Sequence, residues 1–178
     1  MTIQTHSTNT FLDVYPIGPT RRNHGLEHAT LHVLARRFPR VPFAGHSDPG
    51  GFWIIGNIST DDLITAINEA LERLRNGEKQ LAVHPNCGTN FVTSGVLAGL
   101  AGALAMFGAG PGRRQKIERL PLAISLATMA LIVAQPIGMA LQAQVTTSGD
   151  PGSLHVVEIR ANRRGRVQSH RVVTREIT

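Results

Sequence analysis

Two short strings hold the residues best suited to chemistry. His24-Gly25-Leu26-Glu27-His28 sets two imidazoles four residues apart with a carboxylate between them. His84-Pro85-Asn86-Cys87-Gly88-Thr89 sets a third imidazole three residues before the one thiol of the chain. On a helix turning about 100° per residue, His24 and His28 point within about 40° of each other, with Cβ atoms roughly 6 Å apart. Both imidazoles can then reach one ion. Glu27 falls about 60° to the other side of His24, where a carboxylate could hold a water without ligating. The string reads H-x-x-E-H, the reversed form of the zinc-protease motif. His32 continues the stripe by one turn but lies farther round, as an outer partner of the site or as a structural histidine.

In the second string, Pro85 keeps His84 out of a helix and Gly88 permits a tight bend, so His84 and Cys87 can converge. Thiolate and imidazole are both good zinc ligands. A helix starting here, capped by Thr89, would help hold Cys87 as thiolate. By itself this string reads equally as a turn with a buried, inert cysteine. Joined with the first, it yields a divided site for a divalent ion, with zinc the expected metal. His24, His28 and Cys87 are the expected ligands, and His84 is a fourth ligand or an outer partner. Three ligands leave a position open for water. Glu27 is the candidate catalytic base, and the implied reaction is hydrolysis, of a peptide or another polar bond. If all four side chains ligate, the site is closed and the protein is an anchoring or assembly module stapled by its metal. A third alternative is a hydrogen-bonded junction without metal.

The elements that must carry these residues are legible in outline. Residues 23–37 read as a helix, capped by Asn23 and stopped by Pro39, with Leu26, Val33, Leu34 and Phe38 on its buried face. Residues 41–58 are strand-like around an Asp48-Pro49-Gly50-Gly51 turn. Ser59 or Thr60 caps a second helix that buries Leu63, Ile64, Ile67, Leu71 and Leu74 and ends at Gly77. Near the C-terminus, residues 154–159 and 167–173 flank a turn-forming Asn162-Arg163-Arg164-Gly165 and predict a β-hairpin.

Charge separates the remaining chain. Charged residues make up 17% of the 178, against about 25% in ordinary soluble domains, and the net charge is +6. The deficit is local: residues 89–112 and 120–149 contain none. Two such blocks, at 89–110 and 120–143, match the roughly 20 residues that cross a bilayer core and predict a transmembrane hairpin. The competing reading is a pair of buried core helices. Gln135-Pro136 should kink the second block. Gly95-x-x-x-Gly99 offers a small-residue face for homo-oligomer contact. The basic connection at 111–119 argues for a cytoplasmic loop. Yet Arg73, Arg75 and Lys79 in the head and Arg160, Arg163, Arg164 and Arg166 in the tail carry comparable charge. Residues 1–16 lack the apolar core of a secretory signal. Both head and tail are therefore expected in the cytoplasm. Membrane lipids are the expected partners. No nucleic-acid motif accompanies the basic tail, and nucleic acid is not expected. A single cysteine excludes an internal disulfide framework.

The two strings together resemble those of the YqhQ-like bacterial membrane proteins, a family of unknown function described as predicted metal-dependent enzymes. That family carries H-G-A-E-H, then H-P-R-C-G-T-S before an apolar segment. Here the matching positions are His24, Gly25, Glu27, His28, His84, Pro85, Cys87, Gly88 and Thr89, while Leu26, Asn86 and Asn90 depart from it. RNHGLEHAT with HPNCGTN is also similar to a smaller, related uncharacterised family. The resemblance implies a metal-dependent membrane enzyme over residue 22 to the first apolar helix.

The expected architecture is α+β: a flexible segment (1–20), a small cytosol-facing α/β head with the metal site (21–88), a transmembrane helical hairpin (89–143), and a linker with a C-terminal β-hairpin (144–178).

Overall fold

The computed structural model describes residues 11–165 and 167–177. The expected flexibility of residues 1–10 and the basic contribution of Arg166 lie outside the described residues. Among the described residues the fold is α+β, with four α-helices and one four-stranded antiparallel sheet. Its contacts form two compact units, one of described residues up to Val83 and from Ala143 onward, the other His84–Gln142.

In the first unit, a 3-10 turn at Phe11–Asp13 precedes helix α1 (Ile17–Arg37). The helix starts six residues before the sequence predicts. Pro19 falls in its first turn, where a missing N–H costs nothing. Asn23 is therefore no cap. It is buried within α1, its Nδ2 donating to the Asp48 and Pro49 carbonyls at 2.9 and 3.3 Å. Its Oδ1 accepts from the Thr174 hydroxyl at 2.6 Å. A polar side chain with this many buried partners has more to gain in the interior than at a solvated helix end. Phe38 closes α1 just before Pro39, as expected.

Strands β1 (Ala44–Asp48) and β2 (Gly51–Ile55) form the first hairpin. Helix α2 (Thr60–Arg75) is capped by Ser59, whose Oγ accepts from the Asp62 N–H at 3.1 Å. Leu63, Ile67, Leu71 and Leu74 are buried along it with Ala66 and Ala70. Ile64, expected inside, is 39% exposed. It sits about 100° from Leu63, at the margin of the buried arc. Gly77 ends the run at φ +92. Strands β3 (Leu154–Arg164) and β4 (Val167–Glu176) make the second hairpin, longer than predicted and with a register shift between Val156 and Glu158. β4 also pairs with β2, so the sheet order is β1-β2-β4-β3. Leu26, Leu34, Phe52, Ile54, Leu63, Ile67, Leu154 and Val172 form the core that joins α1 and α2 to this sheet.

The second unit is the helix pair α3 (Gly88–Met106) and α4 (Arg113–Leu141), followed by a π-helical turn at Gln142–Thr146. Cys87, not Thr89, occupies the cap position of α3. α4 begins inside the predicted connection, so most of that basic segment is helical. Both helices are long and apolar enough to cross a membrane. Phe91, Val92, Leu104, Ile124, Met129 and Ile132 stay exposed on them, unlike the side chains of core helices.

Candidate metal centre

α1 stacks His24 and His28 with ring centroids 4.3 Å apart and planes tilted by 60°. His24 Nδ1 lies 3.0 Å from the Thr146 carbonyl and His28 Nδ1 lies 2.8 Å from the Ala82 carbonyl. A carbonyl only accepts, so Nδ1 carries a proton in both rings, and in the neutral imidazole the lone pair is then on Nε2. Metal-ligating histidines are commonly held this way, with the outer N–H donated to a backbone carbonyl. His32, one turn on, uses its other nitrogen: Nε2 donates to the Val83 carbonyl at 2.9 Å. The three imidazoles thus fasten α1 to residues 82–83 and 146.

The glycine of the first string has a steric cause. A β-carbon on Gly25 would collide with the Ser148 carbonyl oxygen and sit 3.0 Å from its carbon and 3.3 Å from Ala82 Cβ. Gly25 therefore lets the 146–148 segment run against α1 and bring the Thr146 carbonyl to His24. Arg21 fixes that segment. Its guanidinium donates to the Val145, Gln144 and Thr147 carbonyls at 2.7, 3.1 and 3.1 Å, and its own carbonyl accepts from the Ser148 N–H at 2.9 Å.

Glu27 is buried, and its carboxylate accepts from the Ser47 hydroxyl on β1. Burial raises its pKa above the ordinary value. The Ser47 hydrogen bond and the charges of His24 and His46 act in the opposite sense. A β-carbon on Gly45 would stand 2.6 Å from Glu27 Cδ. Gly45 and Ser47, two residues apart on the strand, thus face α1 and seat the carboxylate. The sequence reading missed both. Their only trace is small residues at alternate positions of a strand, with no chemistry visible until the helix is packed on it.

In the second unit, the backbone of the His84 string is held by buried amides. The His84 N–H donates to Gln142 Oε1 at 3.0 Å, Gln142 Nε2 to Asn90 Oδ1 at 2.7 Å, and Asn90 Nδ2 to the Pro85 carbonyl at 2.7 Å. His84 Nδ1 accepts from the Asn86 N–H at 3.2 Å. Gly138 makes room for this network, since a β-carbon there would be 3.1 Å from Asn90 Cα. Cys87 is buried and forms no disulfide. Asn90 and Gln142 also escaped the sequence reading, being single amides at the ends of apolar blocks.

In the first unit, His24 and His28 stand together as candidate metal ligands. The other two expected ligands, His84 and Cys87, belong to the second unit.

Residues 19–159 match DUF6391, a domain of unknown function. An uncharacterised protein of Picosynechococcus sp. is 35% identical over 163 residues, covering 79% of this chain and 78% of that protein. No solved structure matches the chain.

Proposed function

From the premise that the chain belongs to the DUF6391 family, we propose that it is a membrane-embedded, metal-dependent hydrolase of peptidase-like chemistry. The observation that carries the reading is the locked pair His24 and His28, both Nδ1–H groups tied to backbone carbonyls so that Nε2 is the ligand nitrogen. Cys87 completes the ligands, and His84 serves as a fourth ligand or an outer partner. Cys87 follows Val83 by four residues, a stretch that reaches at most about 14 Å. The carbonyls of Ala82 and Val83 are already bound to His28 and His32, which tethers the thiol to the neighbourhood of the pair. Imidazole and thiolate donors suit zinc. A bound divalent ion supplies Lewis acidity. Glu27, with its raised pKa, takes the proton of the attacking water, and Ser47 orients its carboxylate. The likeness of the two strings to YqhQ-like proteins supports the same chemistry. The exposed apolar faces of α3 and α4 support two membrane spans in contact with lipid. The orientation proposed with them keeps head and tail in the cytoplasm. The small-residue face of α3 offers a contact for a second copy.

A second reading has its own observation. The Glu27 carboxylate is seated against Gly45 and held by Ser47, as a packing link between α1 and β1 would be. On that reading the metal is structural and the protein anchors or assembles others. Metal analysis of the purified wild-type chain beside His24→Ala/His28→Ala and Cys87→Ser variants tests the shared premise. One equivalent in the wild type and loss in both variants is expected. Equal metal in all three would reject the site.

A further inference from the structure

We propose that the first two turns of α4 form a docking face for anionic phospholipid headgroups, made by Arg113, Lys116 and Arg119; the proposal rests on α3 and α4 crossing a membrane. These three residues are spaced by three. On an α-helix that places them within an arc of about 120°. Leu120, Ala123 and Ala127 continue the same arc below them. Arg114 points to the other side, where it pairs with Glu118 at 3.0 Å. Among the described residues, Arg113, Lys116 and Arg119 have no carboxylate within ion-pair distance, and all three are exposed.

Depth fits the same partner. α4 has 29 residues, a length of about 44 Å at 1.5 Å per residue. A hydrocarbon core of about 30 Å takes roughly 20 of them. Counting those from Leu120, where the charge-free run begins, leaves residues 113–119 as about 10 Å of helix beyond the core. The headgroup layer adds about 5–7 Å on each side of that core, so Arg119 and Lys116 fall within it and Arg113 at its outer edge. Nothing inside the chain rewards cations in this place, because the start of a helix favours negative charge. Three cations that oppose the local rule and lie at headgroup depth are complementary to lipid phosphate. With head and tail in the cytoplasm, this end of α4 meets the opposite leaflet, and anionic lipid in that leaflet supplies the phosphate at high local concentration.

The test uses the full-length chain in detergent micelles, loaded with an equal mixture of phosphatidylglycerol and phosphatidylcholine. Native mass spectrometry counts the lipids retained. Phosphatidylglycerol should be enriched, and the Arg113→Gln/Lys116→Gln/Arg119→Gln variant should lose about fivefold of that enrichment per cation removed. Arg113→Lys/Arg119→Lys should keep it. No enrichment in the wild type, or full enrichment in the triple variant, overturns the proposal. So does an enrichment lost instead from Arg160→Gln/Arg163→Gln/Arg164→Gln, which would move the contact to the C-terminal hairpin, or one abolished by millimolar inorganic phosphate, which would make the ligand a free anion. Carbonate extraction separates this failure from that of the membrane reading. Chain that pellets without lipid preference sinks only the headgroup face, whereas chain released to the supernatant sinks both.

Discussion

Replacing Gly25 by alanine sets two effects of opposite sign against each other. By helix propensity alone the change should stabilise α1 by up to about 1 kcal/mol. The new β-carbon, however, would collide with the Ser148 carbonyl. A normal C···O contact is about 3.3–3.6 Å, so that carbonyl must retreat by more than about 1 Å. Two hydrogen bonds of the same segment go with it: Ser148 N–H to the Arg21 carbonyl at 2.9 Å and His24 Nδ1–H to the Thr146 carbonyl at 3.0 Å. Each is worth about 0.5–1.5 kcal/mol, and a buried donor left unpaired costs about 1–3 kcal/mol. The clash wins, and the net loss is about 1–3 kcal/mol. Each kcal/mol lowers the melting temperature by about 2–4 °C in a chain of this size. His24 also loses the carbonyl that orients it, which costs about 10–100-fold in metal affinity. Thermal melts followed through Trp53, the one tryptophan of the chain, and competition with a chelating dye read the two effects separately. Gly95→Ala is the control, because nothing lies within 4 Å of a β-carbon there. A Gly25→Ala protein as stable as the wild type, with full metal affinity, would refute the close approach and the orienting role of Thr146 together.

Asn23→Ala should destabilise the head by about 2–4 kcal/mol, since it empties a buried amide and strands the Thr174 hydroxyl; chemical denaturation measures it. Glu27→Gln should retain metal and fold while turnover of any substrate found falls by about 10²–10⁴-fold; metal content is the first readout, and loss of metal together with fold would favour the structural reading. His170 is fully buried, with Nδ1 lacking a hydrogen-bond partner among the described residues, and burial lowers its pKa from 6.5. The unfolded chain takes that proton first, so this contribution to stability is complete above pH 6.5 and declines as pH falls below it. A His170→Asn variant should show a flatter acid limb in melts across pH, and an unchanged limb would remove His170 as its cause. Carbonate washing of membranes should leave the wild-type chain in the pellet, and full release would favour core helices over spans.

Local signals carried the sequence reading far. Ser59 caps α2, Gly77 ends it, and the Asp48-Pro49-Gly50-Gly51 turn joins β1 to β2, each through chemistry contained within a few residues. The absence of charge located α3 and α4. What failed depended on partners distant in sequence. Asn23 looked like a cap because its real acceptors and donor lie at residues 48, 49 and 174. α1 starts early, at Ile17, because Asn23 is not its cap and Pro19 falls in the first turn, where its missing N–H costs nothing. The C-terminal hairpin was visible, but its pairing with β2 was not, since register between segments more than a hundred residues apart leaves no local mark. At the candidate centre the pairing of His24 with His28 on one helix face was legible. The residues that orient them were not: carbonyls have no sequence signature, and Gly45 and Ser47 are ordinary strand residues until a helix lies across them.

The sheet order has a consequence for how the chain comes into being. Synthesis runs from the N-terminus, so β1 and β2 exist long before β4, the strand that completes them. Until residues 167–176 emerge, one edge of β2 is open, and Val172, the buried core residue paired with Phe52, is missing. In between, the ribosome must deliver both apolar helices. The head can close only as a late, long-range event, after more than a hundred further residues made at about 5–20 per second. During that time an apolar strand edge and two apolar helices are exposed together, a combination prone to aggregation. If a bilayer captures α3 and α4 early, as the proposed spans require, the larger of these hazards is removed while the last strand is made.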